Sequence, residues 1–184
     1  MNYKSEIQKK NIAWLLPRPK KDKYKGGMPL YAEEWLIKLA CEILNGHQET
    51  WEIGSSKMNL LNVFCGMNKY GFRVDLNPEV KPDLISDIHY LSNDLGREHG
   101  YKIILADPPY SEQENKDLYG FGKLNYKKWT AECDKLLEKG GLFIIYHKYI
   151  MPNPNPKKYK IIKRVFIGTR TYHIHRVALF FKKN

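Results

Sequence analysis

Four consecutive residues, Asp107-Pro108-Pro109-Tyr110, bring together groups that can act on one small substrate atom. The Asp107 carboxylate and the Pro108 carbonyl both accept hydrogen bonds. The two prolines fix φ, so these acceptors are in place before a ligand arrives. The Tyr110 ring offers a stacking face to a flat partner. Such a set suits an amine whose two hydrogens must be held. Upstream, Gly66 follows an apolar run, and Asp75 and Asp87 each close a shorter one. A carboxylate at a strand end is either a ligand acceptor or a turn acid and helix cap. Cys65 reads as a small buried hydrophobe. His173 and His175 share one face of a strand but have no third ligand near them in sequence, so no metal is read. His147 follows a strand end, where it could touch substrate, but reads first as a satisfied surface histidine.

These groups need elements to hold them. Met58–Phe64, Phe72–Asp75, Asp83–Ser86 and Lys102–Ala106 read as short strands ending at Cys65-Gly66, Asp75, Asp87 and Asp107. Short apolar runs of this kind suit a parallel sheet covered on both faces. Pro29 opens a helix that ends near Gly46. A second helix spans Tyr126 to Lys139 and stops at Gly140-Gly141. Leu142–Tyr146 is another strand, and Tyr159–Gly168 with Tyr172–Phe181 makes a terminal antiparallel hairpin. Residues 111–124 read as a mobile loop. The spacing predicts an α/β fold, mostly parallel, with ligand loops at the carboxyl ends of its strands. Residues 1–28 read as a basic N-terminal arm and 29–184 as one domain.

The chain has 184 residues and a net charge of +11, unevenly spread. Residues 1–25 carry eight Lys/Arg and two acids, and residues 141–184 carry ten Lys/Arg and no acid. Two basic ends around a neutral body point to a polyanion. Lys157, Lys158, Lys160, Lys163, Arg164 and Arg170, with the arm, are the expected phosphate contacts. No apolar run is long enough to span a membrane. No signal peptide is read, and three cysteines without disulfide spacing suggest free thiols and a cytoplasmic setting.

The segment Leu60-Leu61-Asn62-Val63-Phe64-Cys65-Gly66 resembles the first motif of class I S-adenosylmethionine (SAM) methyltransferases. Asp107-Pro108-Pro109-Tyr110 resembles the Asp-Pro-Pro-Tyr motif of the amino-group methyltransferases within that class. The resemblance covers residues 29 to 181 and implies a Rossmann-like fold with SAM as cofactor. It implies that Phe64, Cys65 and Gly66 approach the methionine part of SAM, and that Asp75 accepts the ribose hydroxyls. Asp87 and Ile88 would meet the adenine, and Tyr31 would cover the cofactor. Asp107, Pro108, Pro109 and Tyr110 would be catalytic. Asn68 stands where the family has a second glycine. Asn visits left-handed backbone more readily than other non-glycine residues, which would keep the turn intact.

The implied activity is methylation of a nucleobase amine, with adenine N6 in DNA as the first expectation. An RNA base, adenine N6 or guanine N2, is the alternative. A non-catalytic nucleic-acid-binding protein on the same fold is the rival from another class. No inserted recognition domain is read, so specificity would come from the nucleic acid's own fold, a homodimer mate or a specificity subunit.

Overall fold

Runs such as Leu60-Leu61-Asn62-Val63 and Ile103-Ile104-Leu105-Ala106 alternate no polarity, so both their faces must be covered. The computed structural model describes residues 10–17, 28–45, 55–96, 100–110, 124–169 and 175–184. Among these, eight strands form one sheet: β1 (Asn11–Leu15), β2 (Leu60–Val63), β3 (Phe72–Asp75), β4 (Leu84–Ile85), β5 (Tyr101–Ala106), β6 (Leu137–His147), β7 (Tyr159–Gly168) and β8 (Arg176–Lys183). The helices are α1 (Ala32–Asn45), α2 (Leu91–Leu95) and α3 (Tyr126–Leu136). The strand order is β1-β7-β8-β6-β5-β2-β3-β4, and only the pairings of β8 are antiparallel.

Alternate side chains of the sheet serve two cores. Leu60, Ile103, Leu105, Leu142, Ile144 and Tyr146 pack with Leu36, Ile37 and Ala40 of α1. Leu61, Val63, Ile104, Ala106, Phe143 and Ile145 pack with Trp129, Cys133 and Leu136 of α3. Each fully buried Leu, Ile or Phe here contributes about 1.5–3 kcal/mol. The result is the expected α/β sandwich with a C-terminal antiparallel hairpin.

Three expectations change. Part of the segment read as an arm is β1, which pairs in parallel with β7 from Asn11–Arg164 to Leu15–Gly168. Its burial alternates only at Ile12 before Leu16, a signal too short to separate from a basic tail. Helix α3 stops at Leu136, earlier than the glycine pair suggests. Leu137 is already extended and pairs with Tyr101, and β6 then passes through Gly140 at φ 80°. Tertiary pairing thus overrides the local stop signal. The last strand begins at Arg176, and the expected start at Tyr172 lies outside the described residues, as do most of the 111–124 loop, Arg170 and His173.

Candidate active site

Strand β2 hands the chain to β3 on one side, while β5 lies on its other side. That reversal is where open α/β sheets bind ligands, at the carboxyl ends of the strands. Val63 and Ala106 are register partners, so the Phe64–Asn68 turn and the Asp107–Tyr110 tetrapeptide leave the sheet side by side. The Asp107 backbone N–H still donates to the Val63 carbonyl at 3.4 Å. Two motifs 40 residues apart in sequence are therefore brought to one crevice.

The turn after β2 is built around left-handed backbone at Phe64 (φ 53°) and Gly66 (φ 48°). Phe64 sits edge-on to Trp129 at 5.4 Å, which anchors the turn to α3. Asp75 is buried and accepts from the Gly66 N–H at 2.8 Å and the Asn77 N–H at 2.9 Å. Burial pushes its carboxyl up, and these backbone donors pull it back. Asp75 is thus a brace inside the turn, with both oxygens engaged. Cys65 is buried, and burial pushes its thiol up to about 12, so it stays protonated and unreactive.

Asn68 does not use the left-handed region; among the described residues the non-glycine ones that do are Tyr31, Phe64 and Lys81. Its side chain turns inward and donates to Asn62 Oδ1 at 3.2 Å. Asn62 in turn donates to Glu33 Oε1 at 3.0 Å. Glu33, in the first turn of α1, also accepts the Lys69 and Tyr70 N–H groups at 2.9–3.0 Å. One carboxylate therefore ties the end of the turn to α1. Gly71, at φ 76°, closes the segment against β2. Its close neighbour is Leu60, whose carbonyl would lie 2.6 Å from an added Cβ.

At the tetrapeptide, Tyr110 Oη lies 3.4 Å from Asp107 Oδ1. The Tyr110 ring meets His147 edge-on at 5.0 Å, and His147 meets the tilted Tyr149 ring at 5.4 Å. The Arg176 guanidinium sits over Tyr110 at 4.5 Å, and Lys148 Nζ lies over Tyr149 at 5.1 Å. His147 is buried, not a surface residue. Its Nδ1 accepts the Tyr149 N–H at 3.0 Å, and it hydrogen-bonds the Pro109 backbone. It clamps the tetrapeptide to the turn after β6. Sequence spacing missed His147, Lys148, Tyr149 and Arg176, because only the pairing of β6 with β8 joins the last of them to the others.

Burial, first, and the charge of Lys148 lower the His147 pKa from 6.5 to about 4. Between those values the unfolded chain binds a proton that the folded chain refuses. Stability is therefore complete above about pH 6.5 and falls as pH drops toward 4. The thermal midpoint should decline through that window in the wild type and decline less steeply in His147→Gln. The difference between the two melting series separates His147 from the carboxyls that titrate nearby. Parallel series would show that the imidazole is not held neutral by the fold.

The remaining expected residues divide. Asp87 caps the turn at Ile88–Tyr90, accepting from the His89 N–H at 2.9 Å, and pairs with the His89 ring at 2.8 Å. His89 Nε2 accepts the Asn125 N–H, linking β4's end to the start of α3. Ile88 is buried in the α3-side core. Tyr31 is half exposed just before α1, at φ 70°. Lys163 is buried, not a surface phosphate contact, and its charge faces Glu42. Lys157, Lys158 and Lys160 stand where β7 begins, beside Lys183 and Lys182 at the end of β8. That is the sheet end away from His147, whose row meets β7 at Phe166, so Lys160 lies about 20 Å back along the strand. Lys158 pairs there with Asp134 at 2.6 Å. Arg164 reaches Asn11 of β1 at 3.5 Å. These side chains do not adjoin the tetrapeptide. Among the described residues no three His, Cys, Asp or Glu side chains gather as a metal set, and no helix is long and apolar enough to cross a membrane.

No family model matches the sequence, and no curated protein matches it. Solved structures do resemble the fold. TrmN from Thermus thermophilus is 15% identical with a TM-score of 0.56, over 87% of this chain and 50% of that one. N-methyltransferase NodS from Bradyrhizobium japonicum WM9 is 10% identical with a TM-score of 0.52, over 82% of this chain and 93% of that one. SMU.776, solved in complex with SAH, is 14% identical with a TM-score of 0.50, over 85% and 51%. The chain thus spans about half the length of TrmN and of SMU.776. At these identities the likeness is one of fold: the Rossmann-like fold of class I SAM-dependent methyltransferases.

Proposed function

We propose that this chain transfers a methyl group from SAM to an exocyclic amine of a nucleobase. The observation that carries the reading is the side-by-side exit of the Gly66 turn and the Asp107 tetrapeptide from paired β2 and β5. The residues present fit SAM. Gly66 at φ 48° lets backbone come close to the methionine part, and the Asp87 carboxylate, partly exposed after β4, would accept from the adenine amine. When bound, SAM supplies a methyl on a sulfonium, already activated for transfer. NodS, an N-methyltransferase by name, and SAH-bound SMU.776 support nitrogen as acceptor and SAM as donor.

The chain's own part is to prepare the amine. An exocyclic amine is a poor nucleophile because its lone pair is spread into the ring. Asp107 and the Pro108 carbonyl hold its two hydrogens, which draws the nitrogen toward tetrahedral geometry. Charge that builds on nitrogen is then met by a fixed carboxylate. Tyr110 stacks on the base, and Arg176 behind the ring keeps it in place. Asn68, which stands where the resembled family has glycine, is built into the turn through Asn62.

The target is an RNA base before a DNA base. A paired amine must leave its duplex to reach Asp107. The Gly66 turn, the tetrapeptide and the exposed Tyr149 ring lie at the carboxyl ends of neighbouring strands, where an unpaired base can reach them. RNA presents unpaired bases in its loops. Labelled SAM offered with total RNA, single-stranded DNA and duplex DNA, followed by nucleoside analysis, tests this. A methylated amino base in RNA is expected. N6-methyladenine confined to duplex DNA would restore the DNA reading, and no transfer to any nucleic acid would overturn both.

A further inference from the structure

The basic residues expected to grip phosphates are at the wrong end of the sheet, yet the site's mouth is not without cations. The turn after β6 presents Tyr149 and Ile150, 60% and 63% exposed. Tyr149 is the outer ring of a row that runs inward through His147 to Tyr110. Lys148 Nζ lies 5.1 Å over Tyr149 and 5.7 Å over Tyr110, and Arg176 lies 4.5 Å over Tyr110. Two cations therefore flank a ladder of rings that starts at the tetrapeptide and ends in solvent.

We infer that this turn binds the strand beside the target base: a flanking unpaired nucleotide stacks on Tyr149 while Lys148 and Arg176 meet the phosphates. The inference rests on the nucleobase reading above and names the form of its substrate, a single strand. Three features converge on it. An exposed aromatic offers stacking that any base can use, and the neighbouring cations match a phosphate backbone. The ring row joins Tyr149 through His147 to the ring that receives the target base, so a nucleotide held at Tyr149 lies close to the target. A duplex would hide its base faces in its own stack and leave Tyr149 nothing to meet. His147 gives the platform its rigidity, since it bonds both the Tyr149 N–H and the Pro109 backbone.

Fluorescence anisotropy with short labelled single-stranded RNA, single-stranded DNA and a duplex, in the full chain, tests the assignment. Tyr149→Ala should weaken single-strand binding roughly tenfold. Tyr149→Trp should keep it, and duplex binding should not respond to either change. Lys148→Ala should lower affinity for all sequences alike and flatten the salt dependence by about one phosphate contact. The RNA and DNA arms decide which strand is preferred. Because Tyr149 is exposed, a melting curve confirms that its variants fold. Unchanged single-strand binding in Tyr149→Ala, or equal loss on duplex, overturns the inference even if methyl transfer is robust. Stacking-dependent binding with no methyl transfer on any substrate leaves it standing and removes the enzymatic reading instead.

Discussion

Asp107→Ala should lower the rate of methyl transfer about 10²–10³-fold, the usual cost of removing one preorganised group that meets transition-state charge. The Michaelis constant for SAM should stay where it is, because Asp107 acts on the amine and only as charge develops. Asp107→Asn separates two contributions. The amide oxygen still accepts one hydrogen, but the anion is gone and an NH₂ group faces the substrate amine. It should fall between wild type and Ala. Single-turnover rates with saturating SAM give the comparison directly. Equal, small losses in both variants would mean that the tetrapeptide is a structural turn. A large loss of SAM binding in either would place Asp107 on the cofactor side of the crevice.

What made Asp107 visible in the sequence is that its partners are its neighbours. Two prolines and a tyrosine follow it directly, and the strand that delivers it is an unbroken apolar run. The Gly66 turn was legible for the same reason. The sheet followed from apolar runs of the right length, and its C-terminal hairpin from two such runs after a proline-rich connector. What escaped was everything made by distant pairing. β1 is five residues long and is a strand only because β7 receives it. His147 looked like a surface residue because nothing in its neighbourhood says that Tyr110 and Pro109 fold over it. Clustered lysines suggested one binding face, but strand direction sends Lys157–Lys160 to the end of the sheet opposite the tetrapeptide. Asp75 was placed correctly at a strand end, but its bonds to the Gly66 and Asn77 N–H groups come from backbone that only the folded turn brings near.

Glu33 is the clearest case of a residue that composition hides, and its removal should have the largest effect on the fold of the site. A glutamate in a helix's first turn usually serves the helix dipole. This one faces away from solvent, where burial raises its pKa against the pull of the Tyr70 and Lys69 N–H groups. It accepts both of those and Asn62 Nδ2, and Asn62 holds Asn68. Glu33→Ala would strand the part-buried Tyr70 N–H and leave the buried Asn62 amide with only the Tyr70 carbonyl at 3.4 Å. An orphaned group costs about 1–3 kcal/mol, and the variant should lose about that much. Glu33→Gln keeps the size but sets an NH₂ group against N–H donors, so it should recover little. SAM affinity should drop in both, because the residues tied down are the second half of the Gly66 turn. Denaturant unfolding with and without SAM, alongside calorimetric titration, measures the two effects separately. Full stability in Glu33→Ala would show that water replaces the carboxylate. Lost stability with unchanged SAM affinity would detach this network from the cofactor turn and return the Asn68 substitution to being a plain loss.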